Sequence, residues 1–226
     1  MCGRFNIIDD AATRALLESL NLRVRLPQKI NIAPTEAVPV IIREGDAHHV
    51  HEMRWWLTPS WAPEVSNQYA MFNARSENLE SSRAFRGPYK HHRGIIPASS
   101  FIEWRKTQQG AKQPYLIEPE EGCFAFAGLW DVWQKQGNYL ESCTIVTTEA
   151  VAGLRWLHHR MPLLLMSEDI PVWLDPAASK QALDEIRSRT VDLDFNAYPV
   201  SDALNNSRIK DPELLTPRED PIEIKH

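Results

Sequence analysis

The chain has 226 residues, 43% of them hydrophobic and 8 of them Trp, enough apolar side chain for one substantial core. A net charge of −5 argues against a nonspecific polyanion binder with a uniformly basic surface, and three irregularly spaced cysteines form neither a dense disulfide framework nor a zinc pattern. With no long apolar run, and with Arg4, Asp9 and Asp10 interrupting the N-terminus, the sequence predicts a soluble, unexported protein of a reducing, cytoplasmic compartment.

Residues 9–20 carry Ala12, Leu16, Leu17 and Leu20 at helical spacing behind Asp9 and Asp10, which can cap an N-terminus, so a first helix is predicted there. Segments 38–42 and 50–56 are β-rich and joined by Glu44-Gly45-Asp46, a hairpin pattern in which Pro39 marks an edge or a strand start. An irregular Trp/Pro loop follows over 55–63. A short helix over 76–85 leads into strands at 94–97, 100–105, 115–118, 123–130 and 139–147. Further on, helices are predicted at 149–157, 167–174 and 177–187, a buried strand at 162–166 and a last strand at 195–200.

Strands without regular βαβ alternation predict an α+β fold: a mainly antiparallel, curved or barrel-like sheet with peripheral helices. Residues 1–210 are expected to form a single domain, and 211–226 a polar, partly disordered tail. Between positions 75 and 93, Arg75, Arg83, Arg86, Lys90 and Arg93 outnumber Glu77 and Glu80, and His91 and His92 lie among them. On charge alone such a run is a solvated helix face.

The most informative residue is Cys2. Removal of Met1 would leave an α-amine with a reference pKa near 7.7–8.0 beside a thiol near 8.5, so both supply some nucleophile at neutral pH. Together they suit an aldehyde, because the amine condenses to an imine and the thiolate closes on it to give a thiazolidine. Taken alone, Cys2 is more simply a small residue after the start codon. In Phe72-Asn73-Ala74-Arg75, an extended segment puts Asn73 and Arg75 on one face, able to orient a carbonyl and hold a phosphate; a capped helix entry fits as well. Glu103, between apolar neighbours in Phe101-Ile102-Glu103-Trp104-Arg105, is a candidate for a raised pKa and proton transfer, or an exposed partner of Arg105. The pair His158-His159 sits at a helix-to-strand junction, where a histidine can shuttle protons or cap the helix. No histidine cluster has zinc-type spacing, and neither G-x-G-x-x-G nor G-x-S-x-G occurs, so no metal and no cofactor are expected.

Read in order, Met1-Cys2-Gly3-Arg4-Phe5, Asn31-Ile32-Ala33-Pro34, Phe72-Asn73-Ala74-Arg75-Ser76-Glu77, Phe101-Ile102-Glu103-Trp104, His158-His159-Arg160-Met161-Pro162 and Tyr198-Pro199-Val200-Ser201 resemble the SRAP family, the SOS-response-associated peptidase or abasic-site processing proteins. Each piece is weak and the joint pattern is specific. The resemblance implies the SRAP fold and a self-modifying enzyme that senses abasic sites in single-stranded DNA and crosslinks to them through Cys2. It implies Cys2 as nucleophile, Asn73 as a positioning residue and Glu103 and His158 as acid/base groups. His158 is preferred to His159 because the family motif places the active histidine two before the arginine. It further implies DNA contacts by Arg4, Asn31, Arg75, Trp104 and Arg160, with Trp61 in the loop of the family's wedging tryptophans. A monomer, without metal or membrane partner and associated with the nucleoid during repair, is the corresponding expectation. An N-terminal-nucleophile peptidase and a noncovalent reader of damaged DNA are the alternatives.

Overall fold

The computed structural model describes residues 2–106, 110–189, 191 and 193–225. In chain order its strands are β1 (Phe5–Ile7), β2 (Lys29–Ile32), β3 (Ala37–Glu44), β4 (Ala47–Trp55), β5 (Asn73–Arg75), β6 (Arg93–Ala98) and β7 (Ser100–Lys106). They continue with β8 (Lys112–Pro119), β9 (Phe124–Lys135), β10 (Asn138–Glu149), β11 (Arg160–Pro162), β12 (Phe195–Pro199) and β13 (Ile222–Ile224). The helices are α1 (Ala11–Ser19), α2 (Arg86–His91), α3 (Asp169–Leu174) and α4 (Lys180–Ser188).

Two sheets share the core. One is antiparallel, in the order β13-β12-β8-β7-β1-β2. In the other, β10-β4-β3-β6-β9 closes into a five-stranded barrel because β9 pairs back onto β10. The long β10 is shared along its length: antiparallel β9 and then β11 follow one another on it, as do parallel β4 and then β5. This sharing places β5 and β11, the strands nearest Asn73 and His158, as neighbours of one strand. Aromatic contacts lock the two sheets together, with ring centroids 5.0 Å apart for Phe5–Trp55 and 5.9 Å for Phe5–Phe126.

The mainly β, barrel-like architecture matches the sequence reading, and the departures from it have local causes. Gln136 and Gly137 both take positive φ, 52° and 79°, which makes a tight two-residue turn and lets β9 and β10 each run for twelve residues. The helix expected over 76–85 reduces to a 3-10 turn at Ser76–Asn78, where Ser81 Oγ returns a hydrogen bond to the Asn78 carbonyl; the helix falls later, at α2. The segment 149–157 likewise holds only a 3-10 turn, Ala152–Leu154. Pro39 is not on an edge: β3 lies between β4 and β6, and Pro39 sits beyond its Ile41–Ile95 pairing with β6, so the missing N–H interrupts no ladder there. The tail expected to be partly disordered returns as β13 on the edge of the antiparallel sheet. Ile224 is buried against Gly153, where a Cβ would lie 2.4 Å from Ile224 Cγ2, so a glycine is needed for this approach.

Candidate active site around Cys2

The N-terminal segment enters the molecule as a strand. Phe5 is opposite Phe101 in β7, and the Ile102 N–H donates to the Arg4 carbonyl at 3.0 Å. Continued toward the N-terminus, this register brings the residues before β1 alongside Glu103. Cys2 is 0% exposed, and its carbonyl accepts a 2.7 Å hydrogen bond from Asn73 Nδ2. Asn73 opens β5, pairs with Ile145 of β10 and is 9% exposed. Its Oδ1 is buried and has no hydrogen-bond partner among the described residues, which leaves one acceptor of the amide available beside Cys2. Met1 lies outside the described residues.

Burial sets the electrostatics. Glu103 is 5% exposed, and desolvation raises its carboxyl from the ordinary 4.5 to about 7, opposed in part by a hydrogen bond from the Trp104 backbone. Such a group is poised between acid and base at neutral pH. The Cys2 thiol is pushed up by burial and, in the same direction, by the Glu103 carboxylate; its Sγ lies 3.6 Å from the Arg4 carbonyl. It is therefore a neutral thiol at pH 7. Burial also raises Cys143, and raises Cys123 to about 12. The folded protein is accordingly expected to resist iodoacetamide at pH 7.5 at Cys2 and Cys143, and to take up label at all three cysteines in denaturant. Mass spectrometry of native and unfolded samples checks this, and rapid native labelling of Cys2 would contradict the burial.

His158 lies just before β11. Its Nδ1 is 2.9 Å from the Arg160 N–H and 3.1 Å from the Arg160 carbonyl. The amide can only donate, so Nδ1 is the acceptor and the ring proton sits on Nε2. Burial lowers its pKa, so the ring is neutral at pH 7. The exposed His159 stacks on it with centroids 4.4 Å apart.

The residues expected to contact DNA separate into two groups. Arg75 is exposed at the end of β5 and carries no ion pair among the described residues. Arg4 lies with its guanidinium 5.8 Å from the Trp104 ring centroid, and Trp104 Nε1 donates to Asn205 Oδ1 at 2.6 Å. Trp61 is exposed, with the Arg83 guanidinium 4.1 Å from its ring centroid. Asn31 and Arg160, by contrast, are engaged within the fold. Asn31 is buried at φ 52°, and its Nδ2 donates to the carbonyls of Asn206 and Ile209, both at 3.1 Å, tying β2 to the C-terminal segment. Arg160 is 6% exposed; it makes a bidentate pair with Glu77 at 2.8 and 2.9 Å and donates to the Thr147 carbonyl at 2.6 Å. A buried guanidinium needs these acceptors, so its charge is already engaged. Arg93, at the end of the basic run, is also spent on the fold, donating to the Trp173 and Asp175 carbonyls.

Glu77 holds Arg160, whose backbone N–H in turn holds His158. Glu77→Ala is expected to destabilise the protein by about 2 kcal/mol, less than the roughly 3–5 kcal/mol of a fully buried pair because Glu77 is half exposed. Thermal unfolding should show a loss of about 4–8 °C. An unchanged midpoint would show that the pair does not anchor this segment. The cleft of about 830 Å³ along α4 meets this constellation through Ser76 and Glu77 alone.

A barrel-plus-sheet protein with a buried cysteine at position 2, an amide on its carbonyl and a carboxyl titrating near neutrality has the groups of a nucleophilic site. The family model described as SOS response associated peptidase (SRAP) matches residues 1–207. A Bacillus subtilis protein named Abasic site processing protein YoqW is 34% identical, over 95% of this chain and 99% of its own. The Pongo abelii Abasic site processing protein HMCES is 30% identical, over 96% of this chain and 76% of its own. A crystal structure of a Bacteroides thetaiotaomicron protein superposes with a TM-score of 0.70 at 27% identity, covering 83% of this chain and 84% of that one. The chain belongs to the SOS response associated peptidase family.

Proposed function

We propose that this protein processes abasic sites, and that it does so by forming a covalent thiazolidine through Cys2 with an abasic site in single-stranded DNA. The names of its relatives support the role in abasic-site processing. The observation that carries the chemistry is Cys2 held by Asn73 beside a carboxyl that titrates near pH 7.

Once Met1 is removed, the free amine of Cys2 attacks the C1′ aldehyde of the ring-opened sugar. Glu103 takes the ammonium proton and returns one to the carbinolamine hydroxyl, which leaves as water and yields an imine. Thiol addition then forms the C–S bond while its proton goes to nitrogen, so the net change is loss of one water. Because the thiol is neutral, addition requires a base, a role we assign to the neutral His158. The sulfur also removes the imine through which β-elimination would cut the strand. Arg75 and Arg4 supply cations for the phosphates despite the net negative charge. The protein acts as a monomer, and no helix among the described residues is long and apolar enough to cross a membrane.

The test is to mix protein with free Cys2 and single-stranded DNA bearing one abasic site, beside intact and duplex controls. A denaturation-resistant species with the summed mass less one water is expected from the abasic single strand. Salt should weaken its formation and leave the finished adduct intact. No adduct, or an adduct released by salt alone, would defeat the proposal.

A further inference from the structure

The sheet face that carries Glu103 also carries groups that the crosslinking chemistry leaves unused. In the β7–β8 pair, Glu103 is directly opposite Tyr115, and Arg105 follows Glu103 by two residues, so all three side chains lie on one face. Trp156 packs edge-on against Tyr115, with centroids 5.0 Å apart and planes at 85°. The Arg105 guanidinium lies 5.4 Å from the Trp156 ring centroid. Trp156 is half-buried and stands two residues before His158, so it spans the space between the strand of Glu103 and the segment of His158. Arg105 is exposed and has no ion pair among the described residues. Trp104, by contrast, alternates to the opposite face, where it packs with Ile102, Leu116 and Leu204.

An abasic nucleotide offers no base to grip. A site that must hold its C1′ atom against one nucleophile therefore takes its register from the flanking bases and phosphates, for which an aromatic face beside a free guanidinium is the suitable chemistry. We propose that Trp156, supported by Arg105, is the stacking platform for a base adjacent to the abasic nucleotide and sets the register of the lesion against Cys2. This rests on the abasic-site reading. Trp156 acts as a positioning residue: it holds a neighbouring base and takes no part in proton transfer.

The test uses single-stranded oligonucleotides with 2-aminopurine on either side of a tetrahydrofuran abasic analogue, which lacks the aldehyde and reports noncovalent binding. Wild type should quench the fluorophore on one flank, and Trp156→Leu should lose that quench. With a true abasic site, the variant should need about tenfold more DNA to reach half its maximal crosslinking rate. Trp156→Phe should recover both. Trp156→Gln is a second non-aromatic variant, and whichever melts within a few degrees of wild type is used. An unchanged quench on both flanks and an unchanged concentration dependence, in a non-aromatic variant of a crosslinking protein, overturn the platform alone. A wild type that forms no crosslink overturns the abasic-site reading and the platform with it.

Discussion

One additional residue ahead of Cys2 is expected to abolish crosslinking to abasic single-stranded DNA while the fold melts at its normal temperature. The ring needs amine and thiol on the same residue, and acylation turns the amine into an amide that no longer attacks an aldehyde. Little of the fold should respond, because the first strand begins at Phe5 and an added residue enters ahead of its pairing with β7. Cys2→Ala separates the two steps. It keeps the α-amine, so borohydride should trap its imine, while without reductant no stable adduct should survive. The extended chain should give neither. Crosslinking by the extended chain at the wild-type rate would show that the α-amine is not the nucleophile.

Glu103→Gln is expected to lower the crosslinking rate by about 10²–10⁴-fold at pH 7 and to remove the rise in rate that wild type shows through pH 7. The same carboxyl makes a stability prediction whose sign is set by its pKa, about 7 in the fold against the ordinary 4.5. Between those values the folded protein holds more protons than the unfolded chain, so stability falls as pH rises from about 4.5 to 7 and is flat above. The shift corresponds to a penalty on the order of 3 kcal/mol above pH 7. Gln carries no charge to desolvate, so the variant should gain stability over wild type at pH 8 and lose the slope between pH 5 and 7. Unfolding midpoints at pH 5 and pH 8 measure this. A variant that is both inactive and less stable at pH 8 would indicate that Glu103 is a structural anchor instead.

Much of the β framework was legible because runs such as 38–42 and 139–147 are dense in β-branched and aromatic residues. Short elements were not: β1, β2 and β13 have three or four residues each, too few to establish a period, and they exist because the sheet offers them partners. Asn31 illustrates the limit. It lies within β2 at a left-handed φ of 52°, and its buried amide is held by a C-terminal segment more than 170 residues away. Trp156 stood two residues from a noted histidine, and nothing in the sequence distinguished it from a core aromatic. Tertiary contact with Arg105 and Tyr115 does so.

The sequence by itself determined the inventory of chemistry: a thiol at position 2, an amide, a carboxylate and an imidazole in a fixed chain order, since side-chain identity requires no folding. Only the tertiary structure decided what each group can do. Residues 2, 73 and 103 are brought together by pairings between strands distant in the chain, and solvent exclusion in the fold moves Glu103 toward neutrality, keeps the Cys2 thiol protonated and lowers the pKa of His158. The same packing commits Arg160 to Glu77 while Arg75 remains exposed. Charge and pKa depend on solvent exclusion and neighbours, and those are properties of the folded arrangement.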